Sequence, residues 1–195
     1  MGFCPSLNDM HSALDVTAYH EAGHARAAAK RGATVNQIEI TTDDVHGNYL
    51  GSTYVDIDPA HEAFYAYAGP WVSARLLEGP EKTVDIDRVA RYMRESEADW
   101  PIFQKAMGRT DVTSDASLQA YMIAMTGGGP PPGEILPDSK LAKRWHRDLD
   151  DEWPQIEYLA RNLLEGTEEI TVGNGVLFQI NRTCWRRPGW LLDKS

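Results

Sequence analysis

Cysteine is scarce in this chain, whose 195 residues include only Cys4 and Cys184. Two cysteines this far apart form no disulfide framework, and they lack the C-x-x-C spacing of a zinc ribbon. Reduced thiols, as in a cytosol, are therefore expected, and we predict a cytoplasmic location.

Positive charge is also in deficit, because 19 lysines and arginines face 29 acidic residues and the formal net charge is −10. This balance repels a phosphate backbone, so nucleic acid is not an expected partner. No window approaches the ~20 apolar residues of a membrane span, and the N-terminal stretch lacks the basic flank and apolar run of a signal peptide. No G-x-x-x-x-G-K-[ST] loop occurs, so any activity is expected to be independent of ATP.

The patterns that are present predict one mainly helical domain over residues 15–170 with a small β-hairpin or sheet. Residues 1–14 are predicted to be an N-terminal tail, and residues 171–195 one short strand and a tail. A helix is predicted over residues 15–31, with Asp15 or Thr17 as its cap and Gly32 as its stop. The β-branched and aromatic stretches "TVNQIEIT" and "YLGSTYVDI" flank the turn-forming "TDDVHGN", which predicts the hairpin.

The remaining helices are predicted from their boundaries and periodicity. "DPAHEAFYAYAGPWVSARLLEGP" opens on Asp58-Pro59 and closes on Gly79-Pro80, with a bend at Gly69-Pro70. "TVDIDRVARYMRESEA", "DWPIFQKAMG" and "SDASLQAYMIAM" each predict a helix. The Gly/Pro-rich stretch 126–139 predicts a loop, and "KLAKRWHRDLDDEWPQIEYLARNLLEG" predicts a long helix bent near Pro154.

The motif that carries chemistry is in "TAYHEAGHARAAAKRG", which spans Thr17 to Gly32. On a helix, residues four apart share a face, so His20 and His24 can present imidazole nitrogens to one zinc ion. Zinc held in this way polarises a bound water and a carbonyl, and Glu21 is placed to take the proton. HExxH on a helix therefore predicts a zinc site that hydrolyses amide bonds.

The third ligand is left open by the residues alone. A metzincin is excluded, because Lys30 stands where that class has histidine and Ala27 where it has glycine. The candidates on chemistry are Glu62, Glu78, Asp85, Asp87, His46 and His61. Their spacing does not choose among them.

Several elements in order resemble the peptidase domain of the FtsH family, the membrane-anchored AAA+ zinc proteases. "AYHEAGHA" is followed by "VNQIEITT" and by "HGNYLGST", which resembles the family's R-G-x-A-L-G-x-T element. "AYAGPWVSARLLEG" is similar to A-G-R-x-A-E-E-x-x-x-G, "TVDIDRVA" to S-N-D-L-x-R-A-T, and "IEYLARNLLEGTEEI" to the terminal helix. The resemblance covers residues 17 to 170 and implies the FtsH-peptidase fold.

The resemblance implies a ligand set of His20, His24 and Asp85, with Glu21 as the catalytic base. Asp85 takes the place of the aspartate in N-D-L-x-R-A-T, and Asp87 is the fallback. Without the resemblance, Asp85 is interpreted as an acidic residue that the helix dipole favours at a helix start.

The chain departs from the family pattern in the second helix, where Ser73-Ala74-Arg75 replaces A-E-E, and in the hairpin, where His46 replaces arginine. It also lacks an ATPase module. We therefore predict a stand-alone zinc endopeptidase that acts on peptides or unfolded segments, or with an unfoldase supplied in trans. A homo-oligomer is a further possible state. The alternative prediction is a non-catalytic, metal-containing binding or regulatory module.

Overall fold

The computed structural model describes residues 11–43, 48–79, 83–109, 133–166, 169–172 and 176–181. In chain order, these residues form α1 (Ala13–Lys30), β1 (Thr34–Asp43), β2 (Asn48–Asp56), a 3-10 helix (Pro59–His61), α2 (Glu62–Glu78), α3 (Ile86–Glu95), α4 (Asp99–Ala106), α5 (Ser139–Glu165), β3 (Glu169–Val172) and β4 (Val176–Asn181). The protein is mainly helical with a small sheet, which confirms the predicted fold class at that level.

Helix α1 begins with a capping box. The Ser12 side chain accepts a hydrogen bond from the Asp15 backbone N–H, and the Asp15 carboxylate accepts one from the Ser12 N–H at 2.8 Å. Because these two hydrogen bonds satisfy backbone N–H groups at the start of the helix, α1 begins at Ala13, two residues before the predicted start. It ends at Lys30, and Gly32 follows with a φ of 78°.

The sheet has four strands in the order β2-β1-β4-β3. The β1 and β2 strands pair antiparallel, as the hairpin prediction requires, while β4 pairs parallel with β1 and antiparallel with β3. The short strand predicted within residues 171–195 corresponds to β4, and β3 runs across the predicted boundary at residue 170. Strand β2 lies at an edge of the sheet.

The core forms where α1 meets α2, α5 and the inner face of the sheet. Trp71 and Tyr67 of α2 are each 1% exposed, and Leu149 of α5 is fully buried. Burying one such side chain stabilises a fold by roughly 1.5–3 kcal/mol. Both of these aromatic side chains of α2 therefore lie in the core.

The contact between α1 and α2 is unusually close because glycine stands at the crossing. A Cβ atom added to Gly23 would lie 2.7 Å from Cγ2 of Val72 and 3.1 Å from the Ala68 carbonyl oxygen. Any side chain at this position would push the two helices apart. Gly23 is the fourth residue of the H-E-A-G-H motif, so the motif itself sets the distance between α1 and α2.

Helix α5 packs against α1 through partly buried ion pairs. Glu152 accepts hydrogen bonds from Arg26 at 2.6 Å and from Lys30 at 3.1 Å. One turn away, Arg31 pairs with Asp148 at 2.6 Å. These contacts fix the relative position of the two longest helices.

The glycines that follow α2 and α5 have the role that their positions indicate, whereas the bends predicted at Pro70 and Pro154 stay predictions. Pro70 and Pro154 lie inside continuous helices. Gly79 and Gly166 follow the last turns with φ values of 86° and 84°, which favour glycine.

Some predicted features lie outside the described residues: the tail before residue 11, the turn with His46, the helix "SDASLQAYMIAM", most of the 126–139 loop and the tail after residue 181. Among the helices that the structure describes, none combines the length and the apolar composition needed to cross a membrane.

Candidate metal centre

The two histidines of the motif lie on one face of α1. Their Nε2 atoms are 3.0 Å apart, and the rings meet edge to face with centroids 4.7 Å apart. His24 is 3% exposed, while the His20 side chain is 19% exposed. The predicted meeting of His20 and His24 is therefore present, and the site opens to solvent on the side of His20.

Asp99, the first residue of α4, completes the group. Its Oδ2 lies 2.9 Å from Nε2 of His20, and its Oδ1 lies 3.1 Å from Nε2 of His24. One ligand atom from each of the three residues lies within 4.8 Å of the others, so this group could hold a metal ion. Ser96 orients the carboxylate, because its hydroxyl donates to Oδ2 at 2.7 Å.

The far ring nitrogens of the histidines are also occupied. Nδ1 of His24 lies 2.8 Å from the Tyr65 carbonyl oxygen, which can only accept, so Nδ1 carries the proton. When the ring is neutral, Nε2 would therefore present its lone pair to the centre of the group. Nδ1 of His20 lies 3.0 Å from the Ser73 hydroxyl. Contacts of this kind orient metal-binding histidines in proteins.

Space for the group is provided by Gly69 on α2. A Cβ atom added there would lie 2.6 Å from Nε2 of His20 and closer still to Nε2 of His24. Both of these nitrogens face the centre of the group. A side chain at position 69 would therefore displace the imidazoles from their present arrangement.

The charges of the group are strongly coupled. Burial lowers the pKa of His24, but the adjacent Asp99 carboxylate outweighs burial and raises the pKa to about 9. Burial likewise raises the pKa of Asp99, but His24 and His20 outweigh it and hold that pKa far below its usual range. A buried carboxylate beside two imidazoles thus requires positive charge among them, which a proton or a metal cation can supply.

Glu21, the predicted base, is 5% exposed and lies between α1 and β2. The Thr53 hydroxyl donates a hydrogen bond to Oε2 of Glu21 at 2.6 Å. Gly51 lies on the same face of β2, and a Cβ atom added there would be 2.6 Å from Cδ of Glu21. The base and the strand are therefore in direct contact.

Asp85 does not join the histidines, contrary to the ligand set that the resemblance implied. It is the N-cap of α3, where its Oδ1 accepts a hydrogen bond from the Arg88 backbone N–H at 2.8 Å. Its side chain is 58% exposed and also pairs with the Arg88 guanidinium at 3.3 Å. In the structure, Asp99 and not Asp85 lies beside the two histidines, and the position of Asp85 agrees with its interpretation as an acid at a helix start.

The other candidate ligands that the structure describes are also absent from the group. Glu78 forms ion pairs with Arg88 and Arg91. Asp87 lies in the first turn of α3 and Glu62 in the first turn of α2. His61 ends the 3-10 helix, and His46 lies outside the described residues. In the part of the chain that the structure describes, Asp99 is the carboxylate that meets both histidines.

No protein-family model, curated protein or solved structure matches this chain. Membership of the FtsH family stays a prediction.

One sequence signal points to Asp99. On α4, Asp99 shares a face with Phe103, four residues later, and Phe103 is fully buried. A carboxylate on an apolar helix face requires a buried partner, since Asp is rarely buried unpaired. The signal predicts a buried acidic group, although it does not say which groups that acid meets.

Proposed function

We propose that this chain is a zinc-dependent peptidase that hydrolyses peptide bonds in peptides or unfolded protein segments. His20, His24 and Asp99 would hold the metal, and Glu21 would act as the general base. The observation that supports this proposal most strongly is the convergence of the three ligand groups beside a buried glutamate from the same helix turn.

The donor set favours zinc. Two imidazole nitrogens and one carboxylate form the three-ligand pattern of catalytic zinc sites, which leave one position for water or substrate. When bound, zinc would polarise the scissile carbonyl and lower the pKa of a coordinated water to ~7. Ser73 and Tyr65 meet the outer nitrogens of the histidines, so the ligands are oriented before a metal arrives.

Glu21 suits the base role by its position. It follows His20 directly in the chain, and the Thr53 hydroxyl holds its carboxylate. In peptide hydrolysis, Glu21 would take a proton from the attacking water and pass it to the leaving amine. Among the three proposed ligand residues, only His20 is partly exposed, so substrate would enter on that side.

The β2 strand offers a surface for an extended substrate. It is an edge strand, and Gly51 and Thr53 on it lie against Glu21. An extended peptide can add to such an edge through main-chain hydrogen bonds. Its backbone would then run close to the base, which favours peptides and unfolded segments over folded proteins.

The test is to compare the wild type with Glu21→Gln on unfolded casein after loading with zinc. We expect both proteins to bind one zinc per chain and Glu21→Gln to lose about 10²- to 10⁴-fold in turnover. Glu62→Gln, which changes a glutamate in the first turn of α2 that does not belong to the metal group, is the control and should match the wild type. Equal turnover in wild type and Glu21→Gln would contradict the proposal.

Zinc binding without any cleavage of casein or of a peptide library would instead support the non-catalytic module. The burial of His24 and Asp99, at 3% and 5% exposure, favours that alternative, since a buried centre can serve structure alone. The same experiment therefore separates the two functions.

A further inference from the structure

We propose that Thr53 is a positioning residue for Glu21, and that Gly51 and Thr53 together form a seat for its carboxylate on β2. This inference rests on the proposed function of Glu21 as general base. It concerns a strand that lies outside the metal-binding motif and supplies no ligand.

The first support is the hydrogen bond between the two side chains. Thr53 Oγ1 is 2.6 Å from Oε2 of Glu21, a short distance of the kind found when a hydroxyl donates to a carboxylate. The same hydroxyl oxygen lies 3.2 Å from the Glu21 backbone carbonyl oxygen. Thr53 thus meets Glu21 at both its side chain and its main chain, and its branched side chain has little rotational freedom.

The second support is the shape of the strand next to this bond. Residues 51 and 53 share one face of β2, because side chains alternate along a strand. A Cβ atom at position 51 would lie 2.5 Å from Cγ and 2.6 Å from Cδ of Glu21. The carboxylate therefore lies flat against a strand that has no side chain at this point, and alanine would force it away.

The third support is the way Thr53 is itself held. The Tyr65 hydroxyl donates to the Thr53 backbone carbonyl at 2.7 Å, and the Tyr65 carbonyl accepts the bond from His24. The Tyr65 ring also packs against the His24 ring, with centroids 4.8 Å apart. One residue of α2 therefore connects the strand that seats the base to a histidine of the metal group.

The chemical need for such a seat follows from the length of the glutamate side chain. Three rotatable bonds separate its carboxylate from the backbone, and a base works only within hydrogen-bond reach of the proton it removes. A misplacement of about 1 Å can cost ~10²-fold in rate. Thr53 fixes Oε2, and Oε1, which lies against Gly51, would then be the oxygen that takes the proton.

The first experiment measures casein hydrolysis by zinc-loaded Thr53→Val, Thr53→Ser and Thr34→Val. Valine keeps the shape of threonine without its hydroxyl, so we expect kcat to fall about 10- to 100-fold with KM and zinc content unchanged. Serine restores the hydroxyl and should bring kcat back to within about threefold. Thr34 on β1 is exposed and belongs neither to the seat nor to the metal group, so the matched change Thr34→Val should behave as the wild type.

The second experiment does not depend on activity. In the metal-free protein, a double-mutant cycle of Thr53→Val and Glu21→Ala is measured by urea unfolding. If the hydrogen bond exists, the unfolding equilibrium constants should show a coupling of about tenfold. A coupling within about twofold of unity would overturn the positioning role, as would full kcat in Thr53→Val.

The two experiments also separate the inference from the proposed function. Suppose that the cycle shows coupling between Thr53 and Glu21, but the wild type binds zinc and cleaves nothing. The proposed peptidase activity would then be wrong, and the positioning role of Thr53 would stand. If hydrolysis requires Glu21 but does not change when the Thr53 hydroxyl is removed, the peptidase proposal would stand and the positioning role of Thr53 would be wrong.

Discussion

A carboxylate that is 5% exposed, as Asp99 is, loses most of its contact with water when the protein folds. This loss is costly unless a positive charge accompanies the carboxylate. Asp99 meets this condition through His20 and His24, and Ser96 supplies a further hydrogen bond. Asp85 needs no such partner, because more than half of its side chain remains in solvent.

This contrast predicts opposite results for two matched substitutions. Asp99→Asn should weaken zinc binding more than about 100-fold, since it removes a charged ligand. Asp85→Asn should bind zinc as the wild type does, and its fold should be retained because asparagine is an equally good N-cap. Competition with a chromogenic chelator measures both affinities. A large loss in Asp85→Asn alone would restore the family-derived ligand set.

At the scale of whole elements, the ion pairs between α1 and α5 carry a second prediction. Burial raises the pKa of Glu152, but the hydrogen bonds from Arg26 and Lys30 outweigh it and lower that pKa. A lowered pKa in the folded state means that ionised Glu152 stabilises the protein above the ordinary glutamate pKa of about 4.3. The stabilisation is lost as the pH falls through the folded-state pKa.

Glu152→Gln should therefore lower the free energy of unfolding at pH 7 by about 1–3 kcal/mol, with the difference from the wild type narrowing below about pH 4.3. Urea unfolding at a series of pH values measures both effects. Glu157→Gln is the control, because its pair with Arg161 is long, at 4.0 Å, and exposed. It should change the free energy of unfolding by less than about 0.5 kcal/mol. A Glu152→Gln effect that does not vary with pH would refute the charge-based explanation.

The sequence predicts those features whose residues lie close together in the chain. His20, Glu21 and His24 lie within one helix segment, so their arrangement depends only on helix geometry. The ends of α2 and α5 follow from glycines at their last turns for the same reason. The mainly helical fold class was predictable because each element carries its own boundaries.

Asp99 is different because its role depends on packing across a long stretch of chain. Its partner His20 is 79 residues away, and α4 must first dock on α2. In the sequence, Asp85 and Asp99 are both acids at helix starts, which the helix dipole favours equally. The place of β4 beside β1 is a pairing of the same long-range kind.

At the scale of the whole molecule, the metal group joins α1 to α4, two helices that both pack against α2. An ion bound there would bind the folded chain and not the unfolded one. Any such ligand raises stability by mass action, by about 2.7 kcal/mol at 100 times its Kd.

Metal removal should therefore lower the melting temperature by about 5–10 °C in a chain of this size. Thermal unfolding with added zinc and with excess EDTA gives the difference. Asp99→Asn should show a much smaller response to EDTA under the same conditions. Equal melting temperatures with and without zinc, in a protein shown to carry the ion, would contradict a link between metal binding and folding.

The glycines that surround the motif have a practical use in sequence searches. Gly23, Gly51 and Gly69 leave room for Val72, for the Glu21 side chain and for the two imidazoles, respectively. An H-E-x-x-H segment that occurs by chance in another protein is not expected to have glycine at these three positions. We therefore expect a longer query to separate metal centres of this kind from chance matches better than the five-residue motif does. Such a query combines H-E-x-G-H, a later G-x-T on a strand and an A-G on the next helix.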